Sequence, residues 1–113
     1  METTAAVLAF GALAQETRLS IYRLLVIAGP EGMAAGGIAG KLDLPGATLS
    51  FHLKELNRAG LVRARQDGRF IIYAANFDTM DGLVSFLTEN CCGGRTCAPE
   101  ARPASVVKRR KAA

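Results

Sequence analysis

The run Thr48-Leu49-Ser50-Phe51-His52-Leu53-Lys54-Glu55-Leu56-Asn57-Arg58-Ala59-Gly60, followed at once by Leu61-Val62, constrains the fold more than any other segment. Leu49, Leu53 and Leu56 recur at i, i+4 and i+7, so they share one stripe of a helix that must find a core. The opposite stripe carries Ala47, Phe51, Lys54 and Arg58, flanked by Thr48 and Ser50. Small and hydroxylated side chains come first and cations come last. A helix whose first turns meet base edges in a major groove, and whose later cations meet phosphate, needs that order. An ordinary amphipathic helix with a solvated outer face has the same periodicity, so the helix alone does not decide.

The next segment does. Gly60 is a helix stop, and beyond it Leu61-Val62-Arg63-Ala64-Arg65 and Phe70-Ile71-Ile72-Tyr73-Ala74-Ala75 flank Gln66-Asp67-Gly68-Arg69. Two β-rich runs around Asp-Gly predict a hairpin, because those residues tolerate the positive φ of tight turns. From Lys54 to Arg69 five basic residues stand against two acidic ones, a local excess of +3. A basic hairpin directly after such a helix is the arrangement of a winged helix, with the wing tip reaching phosphate or the minor groove. A solubilising surface hairpin accounts for less of this pattern than nucleic-acid binding does.

A chain of 113 residues makes one small domain, which gains from burying further surface in a dimer. The formal net charge of +4 says little about the folded part, since Lys108-Arg109-Arg110-Lys111 supplies four positive charges by itself. The apolar run Ala5 to Leu13 follows the acidic Met-Glu-Thr-Thr, where a secretory leader carries basic residues, so a first helix is expected there instead. No stretch approaches the roughly 20 apolar residues of a membrane span. A soluble, cytoplasmic protein is the expectation. Three cysteines in a reducing compartment argue for metal, metalloid or redox chemistry over a disulfide framework.

Periodicity predicts helices over Thr4 to Leu13, Glu16 to Ala28, Ala34 to Leu42 and, with Asp78 as its cap, Asp78 to Asn90. Gly29-Pro30-Glu31-Gly32 breaks the chain, and Asp43-Leu44-Pro45-Gly46 is the turn between two helices, with Pro45 suited to open the second. Gly36, Gly37 and Gly40 each cost their helix about 1 kcal/mol relative to alanine, unless they serve close packing. The first and last helices are more apolar than a winged core requires and are expected to form a dimer interface. Residues 1–92 are expected to form the DNA-binding and dimerisation domain, and 93–113 a cysteine-containing turn and disordered basic tail.

Glu16-Thr17-Arg18-Leu19, Leu49-Ser50-Phe51-His52-Leu53-Lys54-Glu55-Leu56, Ala59-Gly60-Leu61-Val62 and Gly68-Arg69 with Tyr73 together resemble the ArsR/SmtB family of metal-responsive repressors. The resemblance implies a mainly α fold with a β-hairpin wing, a dimeric winged helix-turn-helix that leaves double-stranded operator DNA when an inducer binds. It puts Thr48, Ser50, Phe51 and Lys54 in the major groove and Arg69 on the wing; Arg58 joins them as a phosphate contact from the helix pattern. His52 in this block implies a structural residue at the helix edge rather than a ligand. Two departures stand out. Pro45-Gly46 replaces the family's frequent Ser-Gln, so base readout thins, with Phe51 free to touch a thymine methyl. The Cys-x-Cys often found before the recognition helix is absent, and Met33-Ala34-Ala35-Gly36 stands in that neighbourhood.

All three cysteines lie in Cys91-Cys92-Gly93-Gly94-Arg95-Thr96-Cys97. Adjacent residues of a helix point about 100° apart, so Cys91 and Cys92 chelate poorly while helical. A helix ending there lets Gly93-Gly94 return Cys97 toward both sulfurs. Three converging thiolates suit a soft three-coordinate ion, and As(III), whose lone pair fills the fourth direction, fits best; Sb(III) binds alike. Arg95 favours the thiolate forms. The expected function is therefore repression of an arsenic-resistance operon, with As(III) as inducer and no organic cofactor or membrane partner. A zinc- or cadmium-responsive repressor, a thiol-redox sensor and an inert cluster stay open. An enzyme resembling a small arsenate reductase finds no phosphate-cradling loop here.

Overall fold

The structure, a computed structural model, describes residues 1–94. In chain order come α1 (Thr3–Leu13), α2 (Glu16–Ala28), β1 (Met33–Ala34), α3 (Ala35–Leu42), α4 (Gly46–Arg58), β2 (Val62–Asp67), β3 (Phe70–Ala75) and α5 (Phe77–Thr88), then a 3-10 turn over Cys91–Gly94. The chain divides into a compact unit Met1–Leu83 and a second unit beginning at Val84. Cys97, Arg95 and the expected basic tail lie outside the described residues.

In the first unit the core is built from the predicted stripes. Leu49, Leu53 and Leu56 of α4 are buried against Ile21 and Leu25 of α2, Ile38 of α3, and Leu61. Removing water from each such side chain contributes about 1.5–3 kcal/mol, and Leu53→Ala, which leaves a cavity at the centre of this set, costs about 2–5 kcal/mol. Tyr22 is buried as well, and its hydroxyl finds no hydrogen-bond partner among the described residues. Burial and then the Asp81 carboxylate hold that phenol above its ordinary pKa. Helix α1 buries only Ala6 and Ala9, while Val7, Leu8 and Phe10 are exposed. It is apolar on every side, and such a helix is covered on every side in a stable protein.

The three strands form one antiparallel sheet in the order β1-β3-β2. The hairpin β2–β3 pairs Val62 with Ala75 through Asp67 with Phe70, so its turn is Gly68-Arg69 and Asp67 belongs to the strand. Of the turn residues only Gly68 has a positive φ, at 64°, which is the type II′ pattern. Strand β1 was not expected from the sequence. Met33, to which the sequence assigns no element, and Ala34, expected to start a helix, pair with Tyr73 and Ile72. Gly32 makes this possible: its φ is +75° and an added Cβ there would overlap the Tyr73 carbonyl.

Three further expectations are corrected. Pro45 caps α4 from outside the helix, and its carbonyl accepts from the Leu49 N–H at 3.0 Å. Asp78 lies inside the first turn of α5, and Asn76 plays the capping role instead: its carbonyl receives the Met80 N–H at 3.2 Å, and its side-chain oxygen faces the Thr79 N–H at 3.4 Å. The glycines of α3 do not serve close packing, since Gly36 and Gly40 face open space and Gly37 meets only the Met33 methyl, at the 3.4 Å of ordinary contact.

In the second unit α5 ends at Thr88, two residues earlier than expected, with the Thr88 hydroxyl turned back onto the Val84 carbonyl at 2.9 Å. Asn90 then adopts φ 57° and its carbonyl accepts from the N–H groups of Gly93 and Gly94 at 3.0 and 3.2 Å. Among the described residues no helix is long and apolar enough to cross a membrane.

Candidate nucleic-acid interface and the cysteine turn

Helices α3 and α4 are joined by Asp43-Leu44-Pro45, with Asp43 in the left-handed region at φ 55° and the Leu44 N–H bonded to the Ala39 carbonyl at 3.0 Å. Because the leucine stripe of α4 is buried, the helix has one orientation, and its other face is committed to solvent. Thr48, Ser50, Phe51, Lys54 and Arg58 all lie exposed on it, as does Arg69 at the tip of the hairpin. All six sequence-predicted residues are therefore accessible, five from one helix and one from the wing.

A groove of about 450 Å³ runs between α4 and β3, lined by Ser50, Leu53, Lys54, Asn57, Arg58 and Tyr73. Asn57 and Tyr73 were not among the expected site residues. Asn57 lies three residues after Lys54 and so falls on the same helical face. Tyr73 is brought there by strand alternation, on the sheet face that also carries the buried Val62 and Ala75.

The same alternation divides the wing arginines. Arg63 and Arg65 stand on the other face, where the Arg63 guanidinium pairs with the Asp78 carboxylate at 3.2 Å and Arg65 donates to the Glu31 carbonyl at 3.1 Å. The local excess of +3 read from the sequence is thus not one patch. Arg58 leans on Glu55 at 3.2 Å across one turn of α4, a surface pair worth little. Lys54 and Arg69 make no ion pair or hydrogen bond among the described residues, and their charges are the ones most available to phosphate.

His52 takes the structural role expected of it. Its Nδ1 lies 3.3 Å from Arg18 Nη1, and its ring meets Phe51 edge-on at 5.3 Å between centroids. Burial first, and the Arg18 charge second, push its pKa below the ordinary 6.5, while Glu55 pulls the other way. Neutral His52 can accept from Arg18, whose Nε also donates to the Ala12 carbonyl at 2.7 Å. The exposed edge of α4 thereby fixes Phe51 against a ring that is itself tied to α1 and α2.

In the second unit Cys91 and Cys92 sit on a turn rather than a helix. Cys92 has φ 58° and the two sulfurs stand 3.5 Å apart. The expectation that adjacent cysteines diverge holds only for a continuing α-helix, and the left-handed Cys92 removes that condition. Among the described residues no cluster of three His, Cys, Asp or Glu side chains capable of holding a metal forms; Cys97, expected as the third ligand, lies outside them.

Comparison with known proteins agrees with this geometry. A family model described as a helix-turn-helix domain matches residues 13–65. The helix-turn-helix transcriptional regulator YceK of Bacillus subtilis is 37% identical over 70 residues, covering 62% of this chain and 69% of its own. The nodulation protein NolR of Rhizobium meliloti is 35% identical over 92 residues, 81% of this chain and 72% of its own. A Halobacterium salinarum protein described as a repressor of an arsenical resistance operon is 42% identical over 62 residues, 55% of this chain and 47% of its own. Among solved structures, an ArsR-like transcriptional regulator from Rhodococcus sp. RHA1 superposes with a TM-score of 0.68 at 28% identity, over 76% of this chain and 78% of that one. The homodimeric winged helix-turn-helix domain of Mb0332 from Mycobacterium bovis superposes with a TM-score of 0.62 at 26% identity, over 84% and 88%. With a buried leucine stripe, an exposed outer face of α4 and a wing in one unit, the chain belongs to the ArsR family of winged helix-turn-helix transcriptional regulators.

Proposed function

We propose that this regulator is a homodimeric repressor of an arsenic-resistance operon, released from operator DNA when As(III), or Sb(III), binds the thiolates of Cys91, Cys92 and Cys97. The observation that carries the reading is the 3.5 Å separation of the Cys91 and Cys92 sulfurs. Two thiolates held by one ion at about 2.3 Å, the length of a zinc–sulfur bond, stand about 3.5 Å apart at the bond angle of roughly 100° of a pyramidal three-coordinate ion and about 3.8 Å at a tetrahedral angle. Both spacings lie within a few tenths of an ångström of the observed one, so a single ion bridges the pair with little rearrangement. The pair is not spaced for a bond to itself: consecutive Cα atoms lie about 3.8 Å apart, shorter than the 4.4–6.8 Å usual across a disulfide. Soft ligands of this kind select thiophilic ions. The related Halobacterium protein, described as an arsenical resistance operon repressor, supports the same assignment.

Dimerisation is part of the proposal. Val7, Leu8 and Phe10 of α1 and Val84 and Leu87 of α5 are exposed apolar side chains, and the related Mb0332 domain is homodimeric. Two recognition helices in a symmetric dimer meet half-sites about 34–36 Å apart.

Titrating the protein–DNA complex with arsenite, antimonite, cadmium and zinc, and following DNA release, tests the reading. Arsenite and antimonite are expected to release DNA, and Cys91→Ser, Cys92→Ser and Cys97→Ser to bind DNA normally but respond weakly. Release by zinc or cadmium alone, or full response to arsenite in all three variants, would overturn it.

A further inference from the structure

Two of the wing's arginines take no part in the groove beside α4. In the register of the hairpin Arg63 stands opposite Ala74 and Arg65 opposite Ile72, on the sheet face turned away from Tyr73. Ala74 is therefore the direct partner of Arg63 and the diagonal neighbour of Arg65. A methyl group between two long side chains leaves a hollow. Its volume is about 360 Å³, and Pro30 from the loop before β1 and Phe77 and Asp78 from the start of α5 complete its walls. Sites for small organic ligands begin near this size, with apolar walls and a few convergent polar groups.

The polar groups of the hollow already hold oxygen atoms. The Arg63 guanidinium pairs with the Asp78 carboxylate at 3.2 Å, and Arg65 donates to the Glu31 carbonyl at 3.1 Å. A guanidinium has five N–H donors, so one bond of this kind leaves donors on each arginine. The Asp78 side chain is 88% exposed. An ion pair so open to water is worth little and gives way to a competing carboxylate. Ala74, Pro30 and Phe77 offer apolar surface to the rest of a ligand. A bare inorganic anion leaves that surface unused, and an organic cation meets two like charges. The groove that Tyr73 lines lies on the other sheet face, so the hollow does not continue the nucleic-acid surface.

We infer that this hollow binds a small organic carboxylate: the carboxylate bridges Arg63 and Arg65 in place of Asp78, and the apolar body lies over Ala74 between Pro30 and Phe77. Forked pairing with a planar carboxylate, and stacking of a flat ring on a guanidinium, favour an aromatic acid. Neither the exposed face of α4 nor the cysteines take part. The site therefore stands or falls independently of the proposed response to As(III).

Titration of the isotopically labelled full chain with benzoate, followed by NMR at Ala74 and Phe77, tests the site. Benzoate is expected to shift these signals saturably, with a Kd on the order of 1 mM. Inorganic phosphate, a charge without an apolar body, and cyclohexylammonium, an apolar body with the opposite charge, are expected not to saturate. Arg63→Gln and Arg65→Gln are expected to weaken benzoate roughly 10-fold. Arg69→Gln, which removes the same charge at the hairpin tip, is expected to leave its affinity unchanged. Asp78→Asn removes the competitor and is expected to tighten benzoate by about 1.4- to 5-fold. Shifts that grow linearly without saturating, phosphate binding as well as benzoate, or equal weakening by Arg69→Gln and Arg65→Gln would overturn the site. So would benzoate binding undiminished in both Arg63→Gln and Arg65→Gln, and no gain in Asp78→Asn would overturn the displacement of Asp78.

Discussion

Arg18 Nη1 and His52 Nδ1 lie 3.3 Å apart, joining the start of α2 to the middle of the recognition helix. The Arg18 side chain also reaches the Ala12 carbonyl, and its backbone N–H meets the Gln15 side chain at 2.8 Å. One arginine therefore ties α1, the cap of α2 and α4 together. The contact requires an unprotonated Nδ1, and protonation would place two cations against each other.

This gives stability a pH dependence with a definite sign. The His52 pKa is lower in the folded chain than the ordinary 6.5, chiefly through burial, so the unfolded chain binds the proton more readily. The stabilisation is fully present above pH 6.5 and is lost as the pH falls through the depressed value. In urea unfolding at pH 7.5 and about 5.5, where Asp and Glu are still ionised, wild type is expected to lose more stability than His52→Gln. An equal loss in both would remove His52 as the source.

The glycines predict opposite effects for the same substitution. Gly40 is helical and an added Cβ meets nothing within 4 Å, so Gly40→Ala is expected to raise stability by about 1 kcal/mol. Gly32 has φ +75° and faces the Tyr73 carbonyl, so Gly32→Ala forces β1 off the sheet and is expected to destabilise by roughly 1–3 kcal/mol. Urea midpoints that moved in the same direction for both variants would contradict this account.

How much of the fold and the site was legible in the sequence follows from the range of the forces involved. The α4 stripe and the hairpin were readable because their signals are local: leucines at helical spacing, and a Gly that tolerates a tight turn. Strand β1 was not, since two residues pair with β3 only because Gly32 brings them there from far upstream in the chain. The partition of the wing arginines was equally hidden. Counting Arg63, Arg65 and Arg69 together assumes a shared surface, whereas the Asp78 and Glu31 partners of the first two are set by tertiary packing. The Cys91–Cys92 geometry depends on a left-handed residue that no pattern announced.

That partition has a measurable consequence for DNA binding. Removing one cation that touches phosphate should reduce the slope of log affinity against log salt by about 1. Lys54→Ala and Arg69→Ala are expected to flatten the slope by that amount. Arg63→Ala is expected to leave it near wild type, because its charge is already engaged by Asp78. A slope that changed as much for Arg63→Ala as for Arg69→Ala would mean that the Asp78 pair opens on DNA.

If arsenite releases the operator, the linkage between the two ligands is reciprocal. Allosteric couplings of about 1–3 kcal/mol correspond to a 5- to 150-fold loss of DNA affinity, enough to switch a promoter. Operator DNA must then weaken arsenite binding by the same factor, whatever conformational route connects the cysteines to the recognition helix. Arsenite affinity measured with and without saturating operator is expected to differ by the factor seen in DNA release, and the difference is expected to vanish in Cys92→Ser. Equal arsenite affinities in the two conditions would separate metalloid binding from DNA release and give the cysteines another purpose.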